Sequence, residues 1–356
     1  MFKLANDDFS KVFPIIKSQN EISVQAVITG RMPGEIYVNR FDNPTAALIK
    51  TCECNLIAGS TADAIFNSEI SEVIDFWDQL TPDSEEWIDF IPTLHKNPFV
   101  RRYERRHYIL SIDSFKESNK PLADGLMIEK VNIDLLRKSD YENSNKLLEW
   151  IDDWGDDDNF KEHGVGYYIR NDKAIVSWSL SDCCYNNKIT IGIQSDERYR
   201  KQGLGKTVVS AVVKECFHKG YEIINWLCVA TNKGSIALAE RLGFTYNNSY
   251  YAFSSYPPIE NITDLSYAEW LEWGEYLENA SITEDNLLWE ALYCYIKSNN
   301  IEKTIQIMTA MEHSKRNPDY SRFQSFIAYL QDCGLCSNFK SRAWSDFLKQ
   351  RLKPTM

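Results

Sequence analysis

Apolar positions change their spacing along the chain, and the changes divide it. Phe9, Val12, Phe13, Ile15 and Ile16 recur at helical spacing. Gly34-Glu35-Ile36-Tyr37-Val38 and Ala46-Ala47-Leu48-Ile49 read as strands on either side of an Asp42-Asn43-Pro44 turn. A helix is predicted from Glu69 to Leu80, closed by Thr81-Pro82-Asp83. The basic stretch Arg101-Arg102-Tyr103-Glu104-Arg105-Arg106-His107-Tyr108 runs into Ile109-Leu110-Ser111-Ile112 and reads as a strand with one charged face. Its simplest reading is a solvated edge bearing arginines, and the alternative is a docking surface for an anionic partner.

From 121 to 260 strands and helices alternate. Gly125 to Val131 is predicted as a strand, Ile133 to Trp150 as mostly helical, and the acidic run Asp152 to Asp158 as a loop. Gly164 to Ile169 and Ala174 to Leu180 form a hairpin across Asn171-Asp172, and Lys188 to Ile193 is a further strand. A helix over Gly205 to His218 is closed by Gly220, a strand follows over Glu222 to Ala230, and a helix over Lys233 to Leu242 is closed by Gly243. Glycine suits the left-handed position just past a helix. A final strand pair is expected around Phe244 to Phe253. Beyond 260 the spacing is helical throughout, with stripes such as Trp270, Trp273 and Leu277, or Leu288, Ala291, Leu292, Tyr295 and Ile296. Such aromatic stripes are core more often than binding surface. The division is therefore 1–120, 121–260 and 261–356, in a mixed α/β fold with a helical C-terminal extension.

The chain has 356 residues, with 39 Lys+Arg against 51 Asp+Glu and a formal net charge of −12. A surface of that sign repels nucleic acid and anionic membrane, so neither is expected as a partner. No apolar run approaches the ~18 residues of a membrane span. The opening Met1-Phe2-Lys3-Leu4-Ala5-Asn6-Asp7-Asp8 lacks the apolar stretch of a secretion signal. Nine cysteines without a regular framework fit reduced thiols and a cytoplasmic location. Cys333-Gly334-Leu335-Cys336 has no second pair and no nearby histidine. Zinc needs four ligands, so no metal is expected.

Candidate chemistry lies in Arg200-Lys201-Gln202-Gly203-Leu204-Gly205-Lys206-Thr207, a cationic bend between a strand and a helix. It is not a P-loop, because Arg200 stands where the first glycine belongs. It is not a dinucleotide fingerprint either, because Val208 replaces the third glycine. Outward backbone N–H groups, the positive end of the helix dipole and two glycines nevertheless suit a phosphate.

This Arg-x-x-Gly-x-Gly bend resembles the acetyl-CoA pyrophosphate loop of the GNAT superfamily of N-acetyltransferases. Ile191-Gly192-Ile193-Gln194-Ser195-Asp196-Glu197-Arg198-Tyr199 looks like the family's central strand leading into that loop. Trp226-Leu227-Cys228-Val229-Ala230-Thr231-Asn232, Ser235 and Ala239-Glu240-Arg241-Leu242-Gly243-Phe244 look like the next strand and helix. Within the superfamily the phrasing is most similar to the zwittermicin A resistance-type branch, whose N-terminal half resembles residues 30–120. The strong likeness spans about 165–255, and residues 280–356 are not explained by it.

The resemblance implies acetyl-CoA as cosubstrate and a small-molecule primary amine as acceptor. Backbone groups of Ile193, Gln194 and Ser195 would pair with the pantetheine arm. N–H groups of Arg200, Lys201, Gln202, Gly203, Leu204, Gly205 and Lys206 would hold the pyrophosphate. Asn232 and Ser235 would lie beside the thiol end, Asn232 equally well being a helix cap. Many members carry a tyrosine acid where this chain has Ala239, and Tyr250 or Tyr251 are the weak substitutes. Cys228 reads as a strand-core thiol rather than a nucleophile. Trp154, Asp156 and Asp157 are weak candidates for attracting a cationic substrate, against the plainer reading of a solvated charge run. The rival functions are a non-catalytic acyl-CoA sensor and an interaction protein whose C-terminal helices bind a partner or a second copy.

Overall fold

The computed structural model describes residues 1–16, 22–75, 78–96, 100–118, 120–254, 265–283, 286–314, 316 and 318–352. The chain forms two compact units, Met1–Pro258 and Ile259–Met356. The first unit opens with β1 (Phe2–Lys3), a 3-10 segment over Asn6–Ile15, α1 (Ile22–Ile28) and the meander β2 (Glu35–Val38), β3 (Ala46–Lys50) and β4 (Asn55–Gly59). Then come α2 (Ala64–Val73), β5 (Leu80–Pro82), α3 (Glu85–Leu94) and β6 (Arg101–Leu110). A second series follows: β7 (Met127–Lys130), α4 (Ile133–Leu136), α5 (Ser144–Asp152), α6 (Asp157–His163), β8 (Gly166–Arg170), β9 (Ile175–Tyr185) and β10 (Lys188–Ser195). It ends with α7 (Leu204–His218), β11 (Ile223–Val229), α8 (Lys233–Leu242) and β12 (Thr245–Ser254).

Among the described residues twelve strands join one mixed sheet, in the order β1-β2-β3-β4-β5-β12-β6-β11-β10-β9-β8-β7. Two neighbouring pairs are parallel, β4 with β5 and β10 with β11, and each is bridged by one helix. The two β-α-β-α-β runs therefore repeat each other, and they exchange their last strands. β6 lies between β11 and β12, while β12 lies between β6 and β5. That exchange draws residues on both sides of position 120 into one compact unit.

The exchange corrects several expectations. The basic strand Arg101–Leu110 is not an edge, because it is paired on both sides. Its inward polar groups are partnered instead of solvated: Arg105 meets Glu53 at 3.5 Å, and His107 meets Asn225 Oδ1 at 2.7 Å. One strand, β12, replaces the expected final strand pair. The helix expected over Glu69 to Leu80 starts earlier, at Ala64, where Asp63 caps it, and stops at Val73; Leu80 already belongs to β5. Phe9 to Ile15 is helical, but of 3-10 type. The acidic run is not a loop throughout, since Asp152 ends α5 and Asp157 and Asp158 begin α6.

The main core lies on both faces of β8 to β11. It includes Trp154, Trp178, Trp226, Ile189, Ile191 and the α7 stripe Val208, Val209, Val212 and Val213. A smaller core under α2 and α3 packs Leu48, Ile57, Phe66, Ile70, Trp87 and Ile91. Gly243 closes α8 at φ +97, and a Cβ there would run into the Ser114 carbonyl. Gly243→Ala is therefore expected to cost about 2–3 kcal/mol of stability through strain and overlap. Gly125→Ala, also at positive φ but in open space, costs less. Thermal denaturation of both variants checks the difference.

The second unit contains α9 (Tyr267–Ala280), α10 (Leu287–Lys297), α11 (Ile301–His313), α12 (Tyr320–Asp332) and α13 (Arg342–Lys349). Ser266 and Glu269 form a capping box at the start of α9. Gly274 admits the ring of Tyr295, so α9 and α10 pack closely. The expected helical stripes are buried: Trp270, Trp273, Leu277, Leu288, Ala291 and Leu292. Cys336 is buried with its thiol 3.1 Å from the Ile296 carbonyl, and burial pushes its pKa up to about 12. Among the described residues no His/Cys/Asp/Glu group has metal-binding geometry, and no helix is long and apolar enough to cross a membrane.

Candidate active site

The site begins where two parallel strands part. β10 and β11 pair only through Lys188↔Ile223, Ile189↔Ile224 and Thr190↔Asn225. From Ile191 to Ser195, among the described residues, β10 remains paired with β9 alone. That pairing is reinforced by Ser179 Oγ, which donates to the Gly192 carbonyl at 2.7 Å, and by Ser177 Oγ, 2.7 Å from Ser195 Oγ. The β11-side edge of Ile193, Gln194 and Ser195 is thus an unpaired strand edge, the kind an extended ligand can join.

At the end of β10 the chain is anchored before it bends. Asp196 caps the short 3-10 turn Glu197–Tyr199 by accepting from the Arg198 N–H at 2.9 Å. The Arg198 guanidinium returns to both Asp196 oxygens, at 2.9 and 2.6 Å, and reaches Glu142 at 2.7 Å. Burial opposes ionisation of Asp196, but the Arg198 hydrogen bonds and charge outweigh it and hold the carboxyl below the ordinary range. A depressed carboxyl contributes stability above its unfolded pKa and loses it as pH falls through the folded value. Arg198→Ala should therefore lower stability at neutral pH by about 2 kcal/mol. The gap to wild type should close as pH drops below ~4. Denaturant titrations at several pH values check this.

The bend itself carries Lys201 at φ +60 and Gly203 at φ +91, the latter standing as the N-cap of α7. Among the described residues no side chain caps this helix, so the first N–H groups of α7 point outward from the bend. Lys201, Gln202 and Gly203 are exposed, and Gly205 and Lys206 half-buried, while Leu204 turns into the core. Arg200 is held by Glu197 at 2.8 Å. A Cβ built on Gly205 would sit 3.9 Å from the Ile193 side chain, so the helix start lies over the face of β10 at the opening. Sequence reading missed Lys120, whose Nζ donates to the Gln202 carbonyl at 3.0 Å and adds a cation to the bend. It lies 82 residues away from Gln202, where no local motif points to it.

On the other side of the opening, Asn232 caps α8 by accepting from the Ser235 N–H at 2.9 Å. Ser235 Oγ accepts from Trp226 Nε1 at 2.9 Å. The cap reading of Asn232 is thus realised, and it leaves both residues at the β11–α8 turn. Ala239 and Cys228 are fully buried. Tyr250 lies opposite Arg105 in the β12–β6 ladder, whereas Tyr251 is exposed and stacks under Arg102 at 4.6 Å.

The acidic candidates serve the protein's own structure. Trp154 is buried and donates through Nε1 to the Ser181 carbonyl at 3.0 Å. Asp156 accepts from the Asn159 N–H at 2.8 Å as the cap of α6. Asp157 takes two hydrogen bonds from Arg137, at 2.6 and 3.2 Å, which lower its pKa. Trp154 thereby reaches the residue paired with Ile191, where the opening starts, while the polar atoms of Asp156 and Asp157 are engaged by the Asn159 N–H and by Arg137.

An opening between two parallel strands that leads to a glycine-started helix is an arrangement whose N–H groups and strand edge suit a phosphate-bearing ligand. A family model described as GNAT acetyltransferase matches residues 14–253, and the chain belongs to that family. It is 25% identical over 239 residues to the uncharacterized N-acetyltransferase YdfB of Bacillus subtilis (strain 168), covering 65% of this chain and 89% of that protein. The fold is similar to that of a GCN5-related N-acetyltransferase-like protein from Streptococcus suis 89/1591. There the TM-score is 0.56 at 21% identity, covering 70% of this chain and 98% of that one.

Proposed function

We propose that the chain transfers an acetyl group from acetyl-CoA to the primary amine of a small molecule by direct attack. The observation that carries this reading is the parting of β10 from β11 after Thr190, continuous with the bend at Gly203. A pantetheine arm is an extended amide chain. It fits the unpaired edge of Ile193, Gln194 and Ser195 as a short added strand. The diphosphate then meets the N–H groups from Arg200 to Lys206, with Lys201, Lys206 and Lys120 supplying charge. Family membership supports acyl transfer as the reaction class.

With the arm in the opening, the thioester lies near Gly192 and Ile193, where a main-chain N–H on the open edge is positioned to stabilise the oxyanion. A protonated amine has no lone pair, so the acceptor must first lose a proton. Tyr250 and Tyr251 remain candidates for protonating the leaving thiolate, Tyr250 being the one on the Arg105 side of the sheet. Placement near the zwittermicin A resistance-type branch rests on the resemblance of residues 30–120 to that branch's N-terminal half. Nine free thiols, eight of them at least partly buried, support a reducing, cytoplasmic setting. The helical unit is the proposed surface for a protein partner or self-association.

The experiment is a thiol-release assay with acetyl-CoA over a panel of primary amines, with mass spectrometry of the products. Acetylation of at least one amine is expected. Acetyl-CoA binding without turnover on any amine would favour the sensor reading instead.

A further inference from the structure

β9 and β10 keep register until Cys183↔Thr190 is followed by Ser181↔Ile191. Asp182 is the extra residue, a β-bulge. Thr190 is also the last β10 residue paired with β11, so bulge and opening coincide. Successive strand residues face opposite sides of a sheet. Ile193 faces the start of α7, where a Cβ on Gly205 would touch it. Gly192 faces the other way: a Cβ there would overlap the Trp150 ring and come within 3.4 Å of Asp182 Oδ1. One residue of β10 thus separates the phosphate bend on one face from a recessed carboxyl on the other.

The groups around Asp182 come from four elements. Trp150 of α5 donates its indole N–H to Asp182 Oδ1. Glu53, in the turn between β3 and β4, shares a hydrogen bond with it, and the neighbouring Cys52 thiol sits 3.7 Å from the Asp182 carbonyl. Cys183 of β9 adjoins them, its thiol hydrogen-bonded to Cys52 and kept protonated by that hydrogen bond and by burial. From β6, Arg105 pairs with Glu53 at 3.5 Å and donates to its carbonyl at 3.3 Å. The one guanidinium pairs with Glu53, and among the described residues Asp182 makes no salt bridge of its own. Burial and the Glu53 charge push its pKa well above the carboxylate range. A base of that kind suits a proton held by an amine.

We propose that Asp182 is the catalytic base of the transfer and the anchor of a cationic acceptor, which enters on the face opposite the phosphate bend and packs on Trp150. This rests on the acetyltransferase reading above. The ammonium of the acceptor gives one proton to the Asp182 carboxylate, and the freed lone pair forms the C–N bond at the thioester carbonyl. The C–S bond then breaks, and the departing thiolate takes up the second amine proton, directly or relayed by the Tyr250 or Tyr251 hydroxyl. Asp182 finally returns its proton to solvent.

Three measurements test it, using the most reactive primary amine of the panel. Asp182→Asn should lower kcat by about 100-fold or more, with its thermal midpoint and acetyl-CoA affinity unchanged. Glu53→Gln should move the acid limb of the kcat/KM profile to lower pH, because the like charge is gone. Infrared titration of the unliganded protein should show a carboxylic-acid carbonyl band ionising above the ordinary carboxylate range, absent in Asp182→Asn. A wild type that acetylates the amine while Asp182→Asn keeps its rate and pH profile overturns the assignment and leaves the transferase reading standing. An infrared band unaltered by Asp182→Asn overturns it as well. A wild type that fails to bind acetyl-CoA removes both readings together.

Discussion

Gly203→Glu is expected to abolish measurable acetyl-CoA binding, weakening it by at least about 100-fold, while the protein stays folded. Three effects act at one atom. Gly203 has φ +91, where a side chain costs about 1–2 kcal/mol. The new side chain starts 3.4 Å from Lys120 Nζ and diverts that cation from the ligand. Its carboxylate also enters the space in front of the uncapped α7 N–H groups, where a diphosphate would sit, and takes the role of a side-chain cap. Gly220→Glu is the matched control. It stands just past the other end of α7 at φ +93, with nothing within 4 Å of its Cβ. It carries the same backbone strain and the same charge, yet should leave the dissociation constant unchanged in calorimetry. Equal losses in the two variants would mean that binding does not run through the bend.

Trp226→Ala is expected to remove about 3–5 kcal/mol of stability. The indole is 1% exposed and meets Phe244 edge-on at 5.4 Å between ring centroids. Its N–H also fixes Ser235 Oγ at 2.9 Å, so the ring ties β11 to the first turn of α8. Truncation leaves a cavity and frees the side of the opening formed by Asn232 and Ser235. Trp226→Phe keeps most of the apolar volume and loses the hydrogen bond, so it should cost only about 1–2 kcal/mol. Denaturant unfolding monitored by circular dichroism orders the two variants. A Trp226→Ala protein as stable as wild type would show that this ring does not hold the two elements together.

What could be read from sequence was what depends on neighbours along the chain. The helix ends at Gly220 and Gly243 were marked by glycine itself, and both residues adopt positive φ. The strand–bend–helix around Gly203 was legible because a local cationic run is unusual in a chain with net charge −12. The basic strand 101–110 was recognised as a strand but placed at an edge. Its partners β11 and β12 lie more than a hundred residues onward, and their exchange leaves no trace in spacing. Asp156 and Asp157 read as a solvated charge run or a substrate lure, because the Asn159 N–H and Arg137 become their partners only on folding. Asp182 escaped notice for the opposite reason. In sequence it is one carboxylate beside two cysteines, and its surroundings come from Cys52, Glu53, Arg105 and Trp150, on three other elements.

The decisive measurement is a crystal structure of the chain with bound CoA. The arm should run along Ile193, Gln194 and Ser195, with the diphosphate within hydrogen-bond reach of the N–H groups between Gly203 and Lys206. A nucleotide bound anywhere else, with the edge of β10 left unpaired, would contradict the assignment of this opening as the place where acetyl transfer occurs.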